Sequence, residues 1–190
     1  PTWRPMEVHS ALMMTANRNQ WQPDVLTPAT PDDVGTGMVD LRKAALAGFV
    51  LDESFANFLA ANPATGGNVR ALNIASMRSV NCQGQCLFSR TIRNTLTVPA
   101  TWTVTVTNPA PNVTIRPIES FSFNGTTTET RTITVVVDIA PGTTITAPVF
   151  GEVRFTAAGG ASPDLVWSVG IAGTGPNAEL VFRSGMEGQN

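Results

Sequence analysis

The chain has 190 residues, of which 42% are apolar and only 14% are charged, with a formal net charge of −2 at pH 7. The low charge argues against a nucleic-acid-binding protein, which normally carries a basic stripe, and against charge-driven disorder. No apolar run reaches the roughly 18 residues that a membrane-spanning helix needs. Together with the many threonines, which favour strands, these features indicate a secreted-type, β-rich protein.

The first third of the chain carries helix signals. Apolar residues recur at helical spacing from Pro5, and Ser54 is placed to cap a later helix. The predicted helices are 5–17, a short helix after Asp40, and 53–61. Their expected inward-facing residues are Val8, Ala11, Leu12 and Thr15, then Leu41, Ala44 and Ala45, then Phe55, Phe58 and Leu59.

From Leu72 onward the period changes to two, which is typical of strands. Trp102, Val104 and Val106 alternate strictly with threonines, which are β-branched and favour sheets. Turn signals punctuate the strands: Asn108-Pro109, Asn124-Gly125, Pro141-Gly142 and Gly159-Gly160. This pattern predicts a mainly β protein with a seven-stranded β-sandwich over 72–172. Residues 173–190 are expected to form a loosely held tail, or alternatively a bound terminal strand around 180–182.

Two cysteines, Cys82 and Cys86, are separated by three residues with Gly84 at the centre. A local disulfide is sterically reasonable there and would indicate an oxidising compartment. The alternatives are a redox pair, which usually has two intervening residues, or half of a zinc site. Zinc needs four ligands, and the single histidine lies far away in sequence, so the disulfide is the favoured interpretation.

Candidate catalytic groups are few. His9 is the only possible imidazole base, and it lies off the apolar stripe of the first predicted helix. The carboxylate pairs Asp32-Asp33 and Asp52-Glu53 stand where helices begin, which favours a helix-end role. No Gly-x-Ser-x-Gly motif and no phosphate-binding glycine pattern occurs. The sequence therefore predicts no catalytic residue, metal ligand or cofactor-binding residue in this chain.

Several segments resemble subtilisin-like serine proteases. Residues 1–16, which include Trp3-Arg4-Pro5 and Ser10-Ala11-Leu12-Met13, resemble the stretch that follows the helix bearing the catalytic serine. Residues 34–46 resemble the Gly-x-Gly turn and short helix that close that catalytic domain, and 48–59 resemble the link used by larger members. Segments 72–73, 90–94, 102–104, 149–151 and 165–167 resemble their fibronectin type III-like C-terminal domain.

The resemblance implies a division into four parts. These are the helical end of the catalytic domain (1–48), a linker with a short helix (49–71), a fibronectin type III-like β-sandwich (72–172) and a tail (173–190). The family's Gly-Thr-Ser-Met-Ala-x-Pro motif does not occur here, so no catalytic residue is carried over. The chain is then expected to be inactive by itself.

The implied parent is a secreted bacterial serine endopeptidase, whose signal peptide would precede this fragment. Calcium is possible in that parent. The expected partners are the parent's own catalytic domain and its protein substrates, with a homodimer through the N-terminal helices as a further possibility. The sandwich is expected to pack on the catalytic domain and to affect its stability, substrate access or self-association.

A rival hypothesis is a free-standing adhesion or carbohydrate-binding sandwich. Trp102 and Trp167 would then be candidate platforms for sugars. Both alternate in phase with valines, however, which favours burial in the core.

Overall fold

The computed structural model describes residues 3–177, so the possible strand at 180–182 lies outside the described residues. The helices are short and fall in the first third of the chain. Their bounds are α1 Pro5–Thr15, α2 Pro31–Val34, α3 Leu41–Ala44 and α4 Phe55–Ala60. Single 3₁₀ turns lie at Pro63–Thr65, Val69–Ala71 and Ala158–Gly160.

The rest of the described chain is mainly β, as predicted, with nine strands instead of seven. The strands are β1 Phe49–Leu51, β2 Ser76–Gln83, β3 Gln85–Asn94, β4 Ala100–Thr107, β5 Val113–Ile115, β6 Phe121–Phe123, β7 Thr130–Ile139, β8 Thr144–Ala157 and β9 Leu165–Thr174. Eight of them follow one hydrogen-bonded path, β5-β7-β3-β2-β9-β8-β4-β6, and β1 pairs with β3.

This path folds into two layers at the β2–β3 hairpin. Strands β2 and β3 pair only at Gln83 and Gln85, because β2 runs mainly in parallel with β9. One layer is β5-β7-β3-β1 and the other is β2-β9-β8-β4-β6. Between them, the ring centroid of Phe49 lies 4.9 Å from Trp102 and 5.3 Å from Phe155. The predicted β-sandwich is confirmed.

Three strands that the sequence did not mark have weak local signals. Strands β1 and β6 have three residues each, and β2 is irregular between Ser79 and Cys82. Strand β1 adds Phe49, Val50 and Leu51 to the core, all of them buried. Period-two reasoning could not find β1, because its three residues show no alternation between apolar and polar positions.

Strand β9 is buried on both of its faces. Leu165, Trp167 and Val169 point into the sandwich, and the alternate residues Val166 and Ser168 are buried as well. The segment 17–37 covers this outer surface, and Asp32 in α2 is paired with Arg78 in β2. A strand covered on both sides loses the alternation that marks a half-exposed one.

The predicted inward faces of the helices were partly wrong. In α1 the buried residues are Glu7, Ser10, Ala11, Met14 and Thr15, while Val8 is exposed. In α3 only Ala44 is buried, and Leu41 and Ala45 are exposed. In α4 none of Phe55, Phe58 and Leu59 is buried. Among residues 3–177, no helix is long and apolar enough to cross a membrane.

Candidate functional site

Helix α1 begins at Pro5, whose missing N–H costs nothing in the first turn. The backbone N–H of Arg4 donates to Glu7 Oε2 at 2.8 Å, which satisfies a donor at the helix entrance. Glu7 also lies near the positive end of the helix dipole. One buried carboxylate therefore stabilises the start of this helix.

The same carboxylate joins the helix to the sandwich. Arg93 in β3 donates from Nε to Glu7 Oε1 at 2.6 Å, and the Glu7 side chain is only 5% exposed. Charge-assisted hydrogen bonds of this length are the stronger kind. Arg93 is held in turn by the carbonyl oxygen of Thr127, which accepts from its Nη1 at 2.8 Å.

Two further contacts continue this attachment along α1. The hydroxyl of Ser10 accepts from the backbone N–H of Leu51 at 2.9 Å. The indole Nε1 of Trp167 points at Met14 Sδ at 3.2 Å. We call these three contacts, Glu7–Arg93, Ser10–Leu51 and Met14–Trp167, the α1 clasp.

Opposing effects act on the pKa of Glu7. Burial alone would raise it, but hydrogen bonds from Arg93 and the Arg4 backbone, together with both positive charges, lower it below its ordinary value. The pKa of Glu53 is lowered as well. The effect of burial, which would raise this pKa, is outweighed by hydrogen bonds from the backbones of Asn73 and Ser54 and from the Asn57 side chain. Both carboxylates therefore stay ionised near neutral pH.

The other sequence-predicted acid and base residues do not converge on a site. His9 is exposed on α1, and no serine or carboxylate within residues 3–177 hydrogen-bonds to it. Asp32 pairs with Arg78. Asp33 accepts from the backbone and hydroxyl of Thr30.

The second carboxylate pair is also divided between two roles. Asp52 pairs with Arg4 at 2.6 Å, whereas Glu53 accepts from backbone groups beside α4. The neighbouring carboxyl groups therefore have separate structural partners. In the part of the chain that the structure describes, no group of His, Cys, Asp or Glu residues could hold a metal ion.

The structure joins Cys82 and Cys86 as a disulfide at the corner where β2 and β3 meet. Both residues are buried. Arg70 Nη1 lies 3.6 Å from Cys86 Sγ and the hydroxyl of Ser79 lies 3.5 Å from it. The bridge thus ties the two layers together where their backbone pairing is sparse.

The proposed sugar platforms are not available to a ligand. Trp102 and Trp167 are both 0% exposed. They pack with Phe49 and Phe155 in the aromatic centre of the sandwich, where Phe155 and Trp167 lie 4.5 Å apart. A face enclosed by other rings cannot stack on a sugar.

Sequence reasoning missed several buried polar side chains. Arg90 is 1% exposed and Asn94 is fully buried. Arg90 occupies the same alternation phase as Phe88 and Ile92, so a charged residue in an apolar phase was the available signal. Arg93 and Glu7 carried no signal, because their pairing spans 86 residues.

Two cavities adjoin these elements. A groove of about 740 Å³ beside the α1 clasp is lined mainly by polar and charged side chains, among them Arg4, Asp52 and Thr91. A smaller cavity of about 220 Å³ lies under the segment 29–37. Arg18 lines the smaller one and donates to Ser168 Oγ at 2.7 Å and to the Val166 carbonyl at 2.8 Å, with its Nε unpartnered.

Comparison with known proteins identifies no family. No protein-family profile matches the chain, and no curated protein matches it. Among solved structures, the CupB2 chaperone of Pseudomonas aeruginosa is similar over 59% of this chain and 60% of its own, with 8% identity and a TM-score of 0.30. The chain thus spans less than two thirds of that chaperone, and a similarity this low carries no argument about function.

Proposed function

We propose that this chain is the non-catalytic C-terminal segment of a secreted subtilisin-like serine endopeptidase, and that its sandwich packs on and stabilises the catalytic domain. The observation that carries the proposal is the α1 clasp. The residues that resemble the family most closely, 1–16, include the helix that the sandwich holds. The sandwich would brace the polypeptide just after the helix that bears the catalytic serine.

The two sides of α1 support this role. On its clasped side, the polar Glu7 and Ser10 face the sandwich together with Ala11 and Met14. Val8 and Leu12 lie on the adjacent side, where Val8 is exposed and Leu12, one turn later, is only partly buried. A helix that keeps apolar residues on a second side is suited to lie between two packed bodies. The catalytic domain would cover that second side.

The distribution of exposed apolar side chains also supports this role. Within residues 3–177, twelve of the sixteen large exposed apolar side chains lie between Val8 and Leu59. Exposed apolar side chains that adjoin one another form a surface on which another protein packs. The part that resembles the catalytic domain and its linker is therefore the part that needs a partner.

The first experiment reads the coding sequence immediately before Pro1 and expresses the whole protein. We expect a Gly-Thr-Ser-Met-Ala motif upstream and stoichiometric labelling of its serine by a fluorophosphonate. A whole protein that lacks this motif and resists the label would overturn the assignment to a serine endopeptidase.

The second experiment tests the bracing role separately. Arg93→Met removes the partner of Glu7, and Arg116→Met is the matched control, because Arg116 pairs with Asp138 at the opposite, β5–β7 edge. We expect Arg93→Met to shorten the thermal inactivation half-life of the unlabelled whole protein severalfold and Arg116→Met to leave it unchanged. Equal half-lives for both variants would contradict the bracing role while leaving the assignment as an endopeptidase intact.

A further inference from the structure

Asn124 and Gly125 form the one Asn-Gly pair in the sequence and lie in the loop between β6 and β7. Asn124 is exposed. Within the described residues, the backbone N–H of Gly125 has no hydrogen-bond partner. An accessible side-chain amide therefore stands next to a free, unhindered backbone nitrogen.

The backbone conformation also requires a glycine at position 125. Gly125 has a φ of +86°, and a Cβ built on it would lie 2.8 Å from the carbonyl carbon of Val98. Both features exclude other residues from this position. The turn thus requires glycine at position 125. Glycine also makes Asn124 reactive, because any larger residue at 125 would hinder attack by its backbone nitrogen.

We propose that Asn124 is a site of spontaneous isoaspartate formation and that this modification loosens the α1 clasp. The nitrogen of Gly125 loses its proton to hydroxide and attacks Cγ of Asn124. A new N–C bond forms and the bond from Cγ to Nδ2 breaks. The leaving nitrogen takes one proton from water, which restores the hydroxide, and departs as ammonia. Water then opens the resulting succinimide at either carbonyl, giving aspartate or isoaspartate.

The link to α1 runs through the loop that follows. The carbonyl oxygens of Thr126 and Thr127 accept from Asn94 Nδ2 at 3.0 Å and from Arg93 Nη1 at 2.8 Å. The carbonyl of Glu129 accepts from the backbone of Asn94 at 2.9 Å. Isoaspartate inserts one methylene into the backbone at residue 124 and so displaces these acceptors. Arg93, which holds Glu7, then loses part of its support.

The negative charge of the new carboxylate should also destabilise this turn. The backbone N–H of Asn124 donates to Glu129 Oε2 at 2.8 Å. A carboxylate formed at residue 124 therefore appears close to the carboxylate of Glu129. Like charges on neighbouring groups repel each other, which further disturbs the turn.

The chemical step is tested on the purified chain in a mildly alkaline buffer. We expect peptide mapping to show a gain of one dalton at residue 124, and protein isoaspartyl methyltransferase to label that peptide. Asn124→Gln is the matched variant, because glutamine cyclises far more slowly, and it should show neither change. An intact chain that gains no mass, while the same peptide gains it once released by proteolysis, would overturn the proposal.

The structural consequence is tested by hydrogen exchange. The amides of α1 should exchange about fivefold to tenfold faster in aged wild type than in aged Asn124→Gln, the change expected for losing roughly one hydrogen bond's net contribution. Freshly made Asn124→Asp carries the charge without the extra methylene and should show a smaller increase. Equal exchange in aged wild type and aged Asn124→Gln would overturn the link to α1, and equal exchange in Asn124→Asp and aged wild type would overturn the role of the added methylene.

Discussion

Arg90 illustrates at the scale of one residue how this sandwich replaces missing backbone pairing. Where β2 separates from β3, the guanidinium of Arg90 donates to four carbonyl oxygens, from Ile74, Arg70, Ser89 and Ser76, at 2.7 to 3.1 Å. Burial lowers its pKa to about 10, against a favourable contribution from Glu53. The side chain therefore stays charged at neutral pH and satisfies acceptors that a neighbouring strand would otherwise satisfy.

Replacing Arg90 tests this role. Arg90→Met fills a similar volume but leaves buried carbonyl groups without donors, and each unsatisfied group carries a desolvation cost. We expect a loss of about 3 kcal/mol in the free energy of unfolding, measured by urea denaturation. Arg116→Met is the control and should change it by less than about 1 kcal/mol, since the Arg116–Asp138 pair is solvent-exposed.

The cysteine pair carries a second residue-scale prediction. Cys82 and Cys86 should be fully oxidised in protein made in an oxidising compartment, so mass-tagging under denaturing, non-reducing conditions should find no free thiol. Because the loop is small, the chain-entropy contribution should be about 2 kcal/mol. Cys82→Ser together with Cys86→Ser should lower stability by about that amount. A tagged thiol in freshly purified protein would contradict the prediction.

At the scale of elements, α1 shows that local periodicity can predict a helix without identifying its buried side. Of the predicted stripe, Ala11 and Thr15 are buried as expected, but Val8 is exposed, and the structure also buries Glu7, Ser10 and Met14. The two stripes are adjacent on the helix surface, about one residue apart. Specific partners in β1, β3 and β9 select the polar one.

The α1 clasp should make stability depend on pH in the acid range. The pKa values of Glu7 and Glu53 are lowered in the folded state, so their stabilisation is present above the unfolded pKa and is lost as pH falls through the folded pKa. Glu7→Gln should cost about 2 kcal/mol at neutral pH and make the acid dependence shallower. Urea unfolding across an acid pH series would measure both. Parallel pH curves for wild type and Glu7→Gln would contradict this assignment.

The hairpin-like segment 20–29 stores backbone strain at its tip. Val25 has a φ of +54°, an unfavourable conformation for a β-branched residue, and its side chain is 76% exposed. Asp24 holds the turn by accepting from the backbone N–H groups of Leu26 and Thr27 and from the Thr27 hydroxyl. No burial of Val25 offsets the strain within the described part of the chain.

Relieving this strain should stabilise the protein. Val25→Asn places a residue that tolerates a positive φ at the tip, and we expect a gain of about 1 kcal/mol in the free energy of unfolding. Val80→Asn is the comparison, because Val80 is also exposed but lies within β2. That change should lower stability slightly through lost strand propensity. A destabilised Val25→Asn would show that the valine makes a favourable contact.

At the scale of the whole molecule, the described part of the chain has an enclosed aromatic core and a first third that exposes many apolar side chains. The core is closed by both sheet layers and by α1, whereas the exposed apolar side chains concentrate between Val8 and Leu59. No nucleophile, base and orienting group come together among residues 3–177. The proposed function is one of packing against a catalytic domain, and it requires no such group in this chain.

The purified chain alone should have no peptidase activity. It should cleave neither casein nor peptide substrates, and a fluorophosphonate should label none of its serines, because none of them has an activating base among the described residues. Intact mass spectrometry after labelling would measure this. Stoichiometric labelling of any serine in the chain would contradict the proposed function.

The strongest sequence signals were those of residues that alternate in a sheet with one exposed face. The threonine–valine pattern of β4 is a local property, so it predicted the strand and the inward side of Trp102 directly. Strand β1 was beyond such reasoning, because its three buried residues do not alternate and its partner β3 lies elsewhere in the chain. Strand β6 does alternate, but three residues are a weak signal without its partner β4.

The partners of the buried polar side chains were decided by the tertiary structure alone. Arg90 is buried because β2 leaves β3 for β9, and Glu7 is buried because Arg93 lies opposite it, 86 residues away. The outer face of β9 is covered because 17–37 folds back over it. Each outcome depends on which surfaces meet in space. A periodic pattern along the chain predicts that a residue is buried, but it does not identify the residue against which it packs.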